Sequence, residues 1–224
     1  LLLLGVQGGG KSLAAKAVAS LWGVPALRLD MGAIFNKYQG ETERNMRDTL
    51  KLADLCQPCV LWMDEIEKGL AQSDMDDAAA KRILGTLLTW MSEKKTSVFL
   101  VATSNDISKL PAELVRKGRF DEIFFVDLPE LEVREMIARI HLSKRQLPVQ
   151  EFDLQQIGLH SEGFSGAEIE QAIVSAMYRA HSESINVNNQ HVLQALTSTQ
   201  PLSVTMSEKI QALRSWATDR AVPA

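Results

Sequence analysis

Eight residues near the start of the chain, Gly5-Val6-Gln7-Gly8-Gly9-Gly10-Lys11-Ser12, constrain its fold more than any others. They follow an apolar run over residues 1–6 and lead into a helical pattern over 11–21. G-x-x-x-x-G-K-S between a strand and a helix is the spacing of a phosphate-binding loop. Glycines let the backbone curl so that successive N–H groups point at phosphate oxygens. The helix N-terminus adds the positive end of its dipole. In such a loop Lys11 reaches the β- and γ-phosphates and Ser12 offers its hydroxyl to Mg²⁺. The candidate ATP-binding residues are therefore Gly5, Gly8, Gly9, Gly10, Lys11, Ser12 and Leu13. The competing reading is a Gly-rich strand–helix turn with no ligand.

The remaining pattern agrees with a phosphate-loop fold. Apolar strands are expected at 25–29, 59–63, 97–103 and 123–128, separated by helices at 42–55 and 78–91. Strands alternating with helices imply an α/β fold, a parallel sheet covered by helices. After Pro129 the pattern changes and no further strand is expected. Helices follow at 131–144, 154–160, 167–181, 190–196 and 206–220. Ser165 with Glu168 and Thr205 with Glu208 fit capping boxes, and Asp153 fits an N-cap. The expected division is a large α/β nucleotide-binding domain over 1–129 and a small all-helical domain with a C-terminal helix over 130–224. A chain that opens with Leu on an apolar run reads as one whose N-terminal part is missing.

The third strand ends in Asp64-Glu65. In phosphate-loop enzymes such an Asp completes the Mg²⁺ shell. The neighbouring Glu points the other way and can deprotonate water. Taken alone, Asp-Glu after a strand also suits a solvated turn. Asn105 fits either a turn, since Asn-Asp is turn chemistry, or a group that positions the attacking water. Arg116 and Arg119 flank Gly118. They suit either a solvated basic turn pairing with Asp121 and Glu122, or guanidinium contact with phosphate.

With these residues on the page, the chain resembles the AAA family of ATPases over essentially its whole length. Thr103-Ser104-Asn105 is similar to that family's γ-phosphate sensor. Leu114 to Asp121 is similar to its arginine-finger segment, and Gly163-Phe164-Ser165-Gly166-Ala167-Glu168 to its lid motif. A narrower resemblance is to uncharacterised AAA proteins of bacteria, cyanobacteria and algal chloroplast genomes (the hypothetical chloroplast frame type). It rests on Leu61 to Gly69, Leu84 to Trp90, Pro201 to Met206 and Arg220 to Pro223.

The resemblance implies Glu65, Asn105, Arg116 and Arg119 as catalytic residues, with Ser12 and Asp64 on Mg²⁺. It implies self-association into a ring, six subunits being usual, with the arginines acting on the neighbour's ATP. Small residues at Gly166 and Ala167 would let the backbone lie against adenine. His141 would contact the sugar, or be an incidental helix histidine. Tyr38, beside Lys37, would line a central pore and grip an unknown protein substrate, or staple onto the helix that follows. The aspartates at 74, 76 and 77 lack the closing Glu of a calcium loop and suit a loop facing the pore.

Composition then removes classes. Lys plus Arg is 24 against 28 Asp plus Glu, a net charge of −4, which weighs against nucleic acid as the partner. No apolar run reaches the ~18 residues of a membrane span. Two cysteines exclude a disulfide scaffold; Cys56 and Cys59 have no second pair, and core thiols are expected. Cytoplasm or chloroplast stroma fits. The leading reading is a Mg·ATP-hydrolysing, ring-forming protein-remodelling machine. The alternative is an ATP-dependent assembly or regulatory switch without threading.

Overall fold

The computed structural model describes residues 1–31, 41–70, 77–116 and 118–224. The chain divides into two compact units. The first comprises Leu1–Gly5, Lys11–Val126 and Trp216–Ala224. It holds a six-stranded sheet: β1 (Leu2–Gly5), β2 (Ala26–Asp30), β3 (Cys59–Asp64), β4 (Val98–Ser104), β5 (Ile123–Val126) and β6 (Val222–Pro223). The spatial order is β2-β3-β4-β1-β5-β6 and every pairing is parallel. Its helices are α1 (Lys11–Trp22), α2 (Glu41–Leu55), α3 (Glu67–Leu70), α4 (Asp77–Glu93) and α5 (Ala112–Val115).

The central strands β1, β3 and β4 are buried on both faces, as their near-continuous apolar sequences require. Side chains alternate across the pleat. Leu61, Met63, Leu100 and Ala102 face Met46 and Leu50 of α2 and Ile83 and Leu87 of α4. Leu3, Val60, Trp62 and Val101 face Ala15 and Ala19 of α1. Each fully buried Leu, Ile or Met contributes about 1.5–3 kcal/mol. The strand order also positions chemistry. β1 pairs with β4 rather than β2, so β1 and β3 flank β4. The chain leaves all three strands at the same end of the parallel sheet, where such folds gather ligands.

The second unit comprises Val6–Gly10 and Asp127–Ser215. Its helices are α6 (Leu131–Lys144), α7 (Leu154–His160), α8 (Gly166–Ser182), α9 (Asn189–Thr197) and α10 (Leu202–Thr205). A further helix, α11 (Ser207–Ala217), has residues 207–215 in this unit and 216–217 in the first. Ile169, Ile173 and Ala176 form the buried stripe of α8 and pack with Leu142, Ile157, Val192 and Leu196. Among the described residues of this unit, three α-helix starts are capped by side chains. Gln156 N–H donates to Asp153 Oδ1 at 3.0 Å. Ser165 N–H donates to Glu168 Oε2 at 2.7 Å, closing the expected capping box. Asn188 and His191 form a second reciprocal box that the sequence reading did not anticipate.

Two expectations fail. Thr205 is no N-cap: it is the last residue of α10, where its hydroxyl donates back to Pro201 O at 3.4 Å. A strand does follow Pro129, because Val222 and Pro223 pair with Phe124 and Phe125. A two-residue strand carries no readable alternation; the exposed backbone edge of β5 dictates it. No helix among the described residues is long and apolar enough to cross a membrane.

Candidate functional site

The phosphate loop needs its glycines for different reasons. Gly5 sits in register with Val126, and a Cβ there would lie 2.0 Å from Val126 O. Gly8 has φ +76°, and its Cβ would stand 2.9 Å from both Ala167 Cβ and Ser165 Oγ. Gly9 N–H closes the turn on Val6 O at 3.2 Å. Gly10, at φ +90°, faces open space. Within the helical unit Ala167 N–H donates to Gly8 O at 3.2 Å, and Gly166 packs against the same carbonyl. The small residues of the lid motif therefore permit close backbone approach to the loop.

Lys11 opens α1 and is buried, with Nζ donating to Gly5 O at 2.9 Å. Burial lowers its pKa to about 8, against the opposing pull of Glu67, Asp64 and Glu65. The adjacent Ser12 donates its hydroxyl to Asp64 Oδ1 at 2.8 Å. Leu13, the next residue, is exposed.

Asp64 ends β3. Its Oδ1 also accepts the Thr103 hydroxyl at 2.7 Å, and Arg28 Nη2 stands 3.5 Å from Oδ2. Glu65 takes a left-handed conformation at φ +51°, which costs a non-glycine residue about 1–2 kcal/mol. Its N–H donates to Thr103 Oγ1 at 3.0 Å. The Glu65 carboxylate takes partners separate from those of Asp64. Oε1 accepts Asn105 Nδ2 at 3.1 Å, and Oε2 pairs with Lys68. Glu67 is buried too. Its Oε1 accepts Asn105 N–H at 3.0 Å, while Oε2 has no hydrogen-bond partner among the described residues. Such an orphan costs about 1–3 kcal/mol, more for a charged group.

The Ser12 hydroxyl and Asp64 carboxylate form a hard oxygen pair. Among the described residues no cluster of three or more His, Cys, Asp or Glu could hold a metal ion by itself. Two protein oxygens suit Mg²⁺, which keeps waters and substrate phosphates for its remaining positions.

Neither candidate arginine bonds to these residues among the described residues. Arg116 follows α5, is exposed, and makes no hydrogen bond or ion pair among the described residues. It lines a cleft of about 460 Å³ with Phe120, Trp216, Arg220 and Val222. Arg119 is half-buried and donates to Leu88 O at 3.1 Å and to Ser92 Oγ, in the last turns of α4. His141 lies in the helical unit, with Nδ1 3.2 Å from Glu170 Oε1 and Arg145 alongside. Burial pushes its pKa down, partly offset by Glu170. Lys37 and Tyr38 lie outside the described residues, as do the aspartates at 74 and 76. Three partners escaped the sequence reading, Arg28, Glu67 and Lys68, and the bond from Thr103 to Asp64 was not anticipated. Glu67 could have been suspected from its place three residues after Asp64, but its burial could not.

Residues 1–128 match the AAA family, described as ATPases associated with various cellular activities, and 151–195 match the AAA+ lid domain. The chain is 48% identical over 222 residues to the uncharacterised AAA domain-containing protein ycf46 of Pyropia yezoensis. That match covers 98% of this chain and 45% of the relative. The ycf46 protein of Guillardia theta is 44% identical over 220 residues, covering 97% and 44%. The ATP-dependent zinc metalloprotease FtsH of an aster yellows phytoplasma is 32% identical over 201 residues, covering 87% and 30%. The chain thus spans about half the length of the ycf46 relatives it matches. With the AAA model matching more than half of the chain, over the unit that holds this parallel sheet, the chain belongs to the AAA family of ATPases.

Proposed function

We propose that this protein binds Mg·ATP and hydrolyses it, in a ring whose neighbouring subunit supplies an arginine, to remodel a protein substrate. The observation that carries the reading is the convergence of Lys11, Ser12, Asp64, Glu65 and Asn105 at the ends of adjacent strands. The ATP-dependence in the name of the FtsH relative supports the same nucleotide. Ser12 and Asp64 would hold Mg²⁺, which would neutralise charge on the β- and γ-phosphate oxygens.

On this reading the loop N–H groups bind phosphate oxygens, and Lys11 exchanges Gly5 O for them. Asn105 orients Glu65, which must leave Lys68 to take a proton from the attacking water. A bond forms between that water oxygen and the γ-phosphorus. The bond from the γ-phosphorus to the bridging oxygen breaks, leaving ADP and phosphate. Little covalent chemistry is asked of the protein, so positioning and charge dominate. Arg116 fits the trans role better than Arg119, whose guanidinium is committed to its own α4. Gly166 and Ala167 would meet the adenine, His141 the sugar, and Lys37 with Tyr38 the substrate polypeptide.

Glu65→Gln in the full-length protein tests the chemistry. ATP binding stays within threefold and turnover falls at least 100-fold, in line with general-base losses of about 10²–10⁴. Undiminished turnover would refute the assignment. For the ring, the rate per subunit should rise and saturate with protein concentration, and Arg116→Ala should remove that rise.

A further inference from the structure

Glu67 opens the four-residue α3 and is 5% exposed. A carboxylate taken out of water at this depth needs a task. One oxygen has one: Oε1 accepts the main-chain N–H of Asn105 at 3.0 Å. The other, Oε2, is buried with no partner among the described residues. The exits of β3 and β4 are stitched together at three successive points. Glu65 N–H reaches Thr103 Oγ1, Ile66 N–H reaches Thr103 O at 3.0 Å, and Glu67 takes Asn105 N–H. The last stitch is the one that holds the residue whose side chain touches Glu65.

We propose that Glu67 is a positioning residue: its carboxylate clamps the Asn105 main chain and thereby aims the Asn105 amide at Glu65. The proposal rests on the ATP-hydrolysis reading and adds to it a group that touches neither nucleotide nor water. Without the clamp the chain beyond β4 is free to turn, and Nδ2 no longer finds Glu65 Oε1. The acceptor on Asn105 N–H is what matters, so an amide oxygen in the same place substitutes for it.

The test uses the full-length protein. Glu67→Ala lowers kcat at least tenfold, read at saturating ATP because Glu67 also pulls on Lys11. Glu67→Gln keeps at least a third of the wild-type kcat. In an Asn105→Ala background Glu67→Ala removes no further activity, because both changes break one relay. Hydrogen exchange at the Asn105 amide, read from overlapping peptides, quickens at least tenfold in Glu67→Ala and holds in Glu67→Gln.

Unchanged Asn105 exchange in Glu67→Ala overturns the proposal. So does a Glu67→Gln variant as impaired as Glu67→Ala, or full additivity with Asn105→Ala. If Glu67→Ala does not fold, Glu67→Gln decides alone: kcat and Asn105 exchange both preserved support the clamp, and loss of either overturns it. A wild-type protein that hydrolyses no ATP refutes the proposed activity instead, and the Asn105 exchange still decides the clamp.

Discussion

The exit of β3 and the start of α8 both set carboxylates beside backbone N–H groups, and they solve the problem in opposite ways. At α8 the partners are three residues apart: Glu168 Oε2 accepts from Ser165 N–H at 2.7 Å and from Ser165 Oγ at 2.8 Å. Every contact in that box is made within one helical turn. At β3, Asp64 is completed by Ser12, 52 positions away, and by Thr103, 39 away. Glu65 and Glu67 are completed by Asn105, 40 and 38 positions away. There the backbone is left-handed at Glu65, and one buried oxygen has no partner among the described residues. Local rules are obeyed where the chain only builds a helix and broken where it concentrates charge, the expected signature of a functional site.

Three substitutions sharpen or break that contrast. The largest effect is expected from Lys11→Met. Nucleotide affinity falls at least 100-fold, yet the nucleotide-free protein melts at a higher temperature, because a buried ammonium has been removed. The sign follows from linkage. The pKa of Lys11 is lowered by burial from 10.5 to about 8, so between these values the unfolded chain holds more protons than the folded one. The penalty, roughly 3 kcal/mol, is fully present below pH ~8 and disappears as pH rises through ~10.5. Unfolding of the wild type against pH should show stability climbing across that window, and Lys11→Met should flatten the climb. A variant that is both less stable and unable to bind ATP would break the contrast.

Gly8→Ala comes next. It places a Cβ against Ala167 and Ser165 at a positive φ, costing about 1–3 kcal/mol. ATP affinity should fall about tenfold, the equivalent of ~1.4 kcal/mol. Calorimetric titration checks it. The smallest effect is expected from Asn188→Ala, which removes the cap of α9 at a cost of about 1 kcal/mol and leaves turnover unchanged. Urea unfolding measures the cost. A fall in ATP hydrolysis in that variant would show that the helical unit is more than a set of locally capped helices.

The sequence alone determined the phosphate loop, the strand–helix alternation and the Ser165 cap. In each, the partners lie within a few residues and the spacing itself carries the physics. It also marked Asp64, Glu65 and Asn105 as polar residues at the ends of apolar strands. Tertiary structure alone decided that Asn105 grips Glu65, that Thr103 shares Asp64, and that Glu67 is buried at all. It also made Thr205 the last residue of α10 and put Val222 in a strand. Placing β1 between β4 and β5 is what brings residues 12, 64, 103 and 105 together. That order is set by burying both faces of the central strands, a requirement of the whole chain that no local window of residues contains.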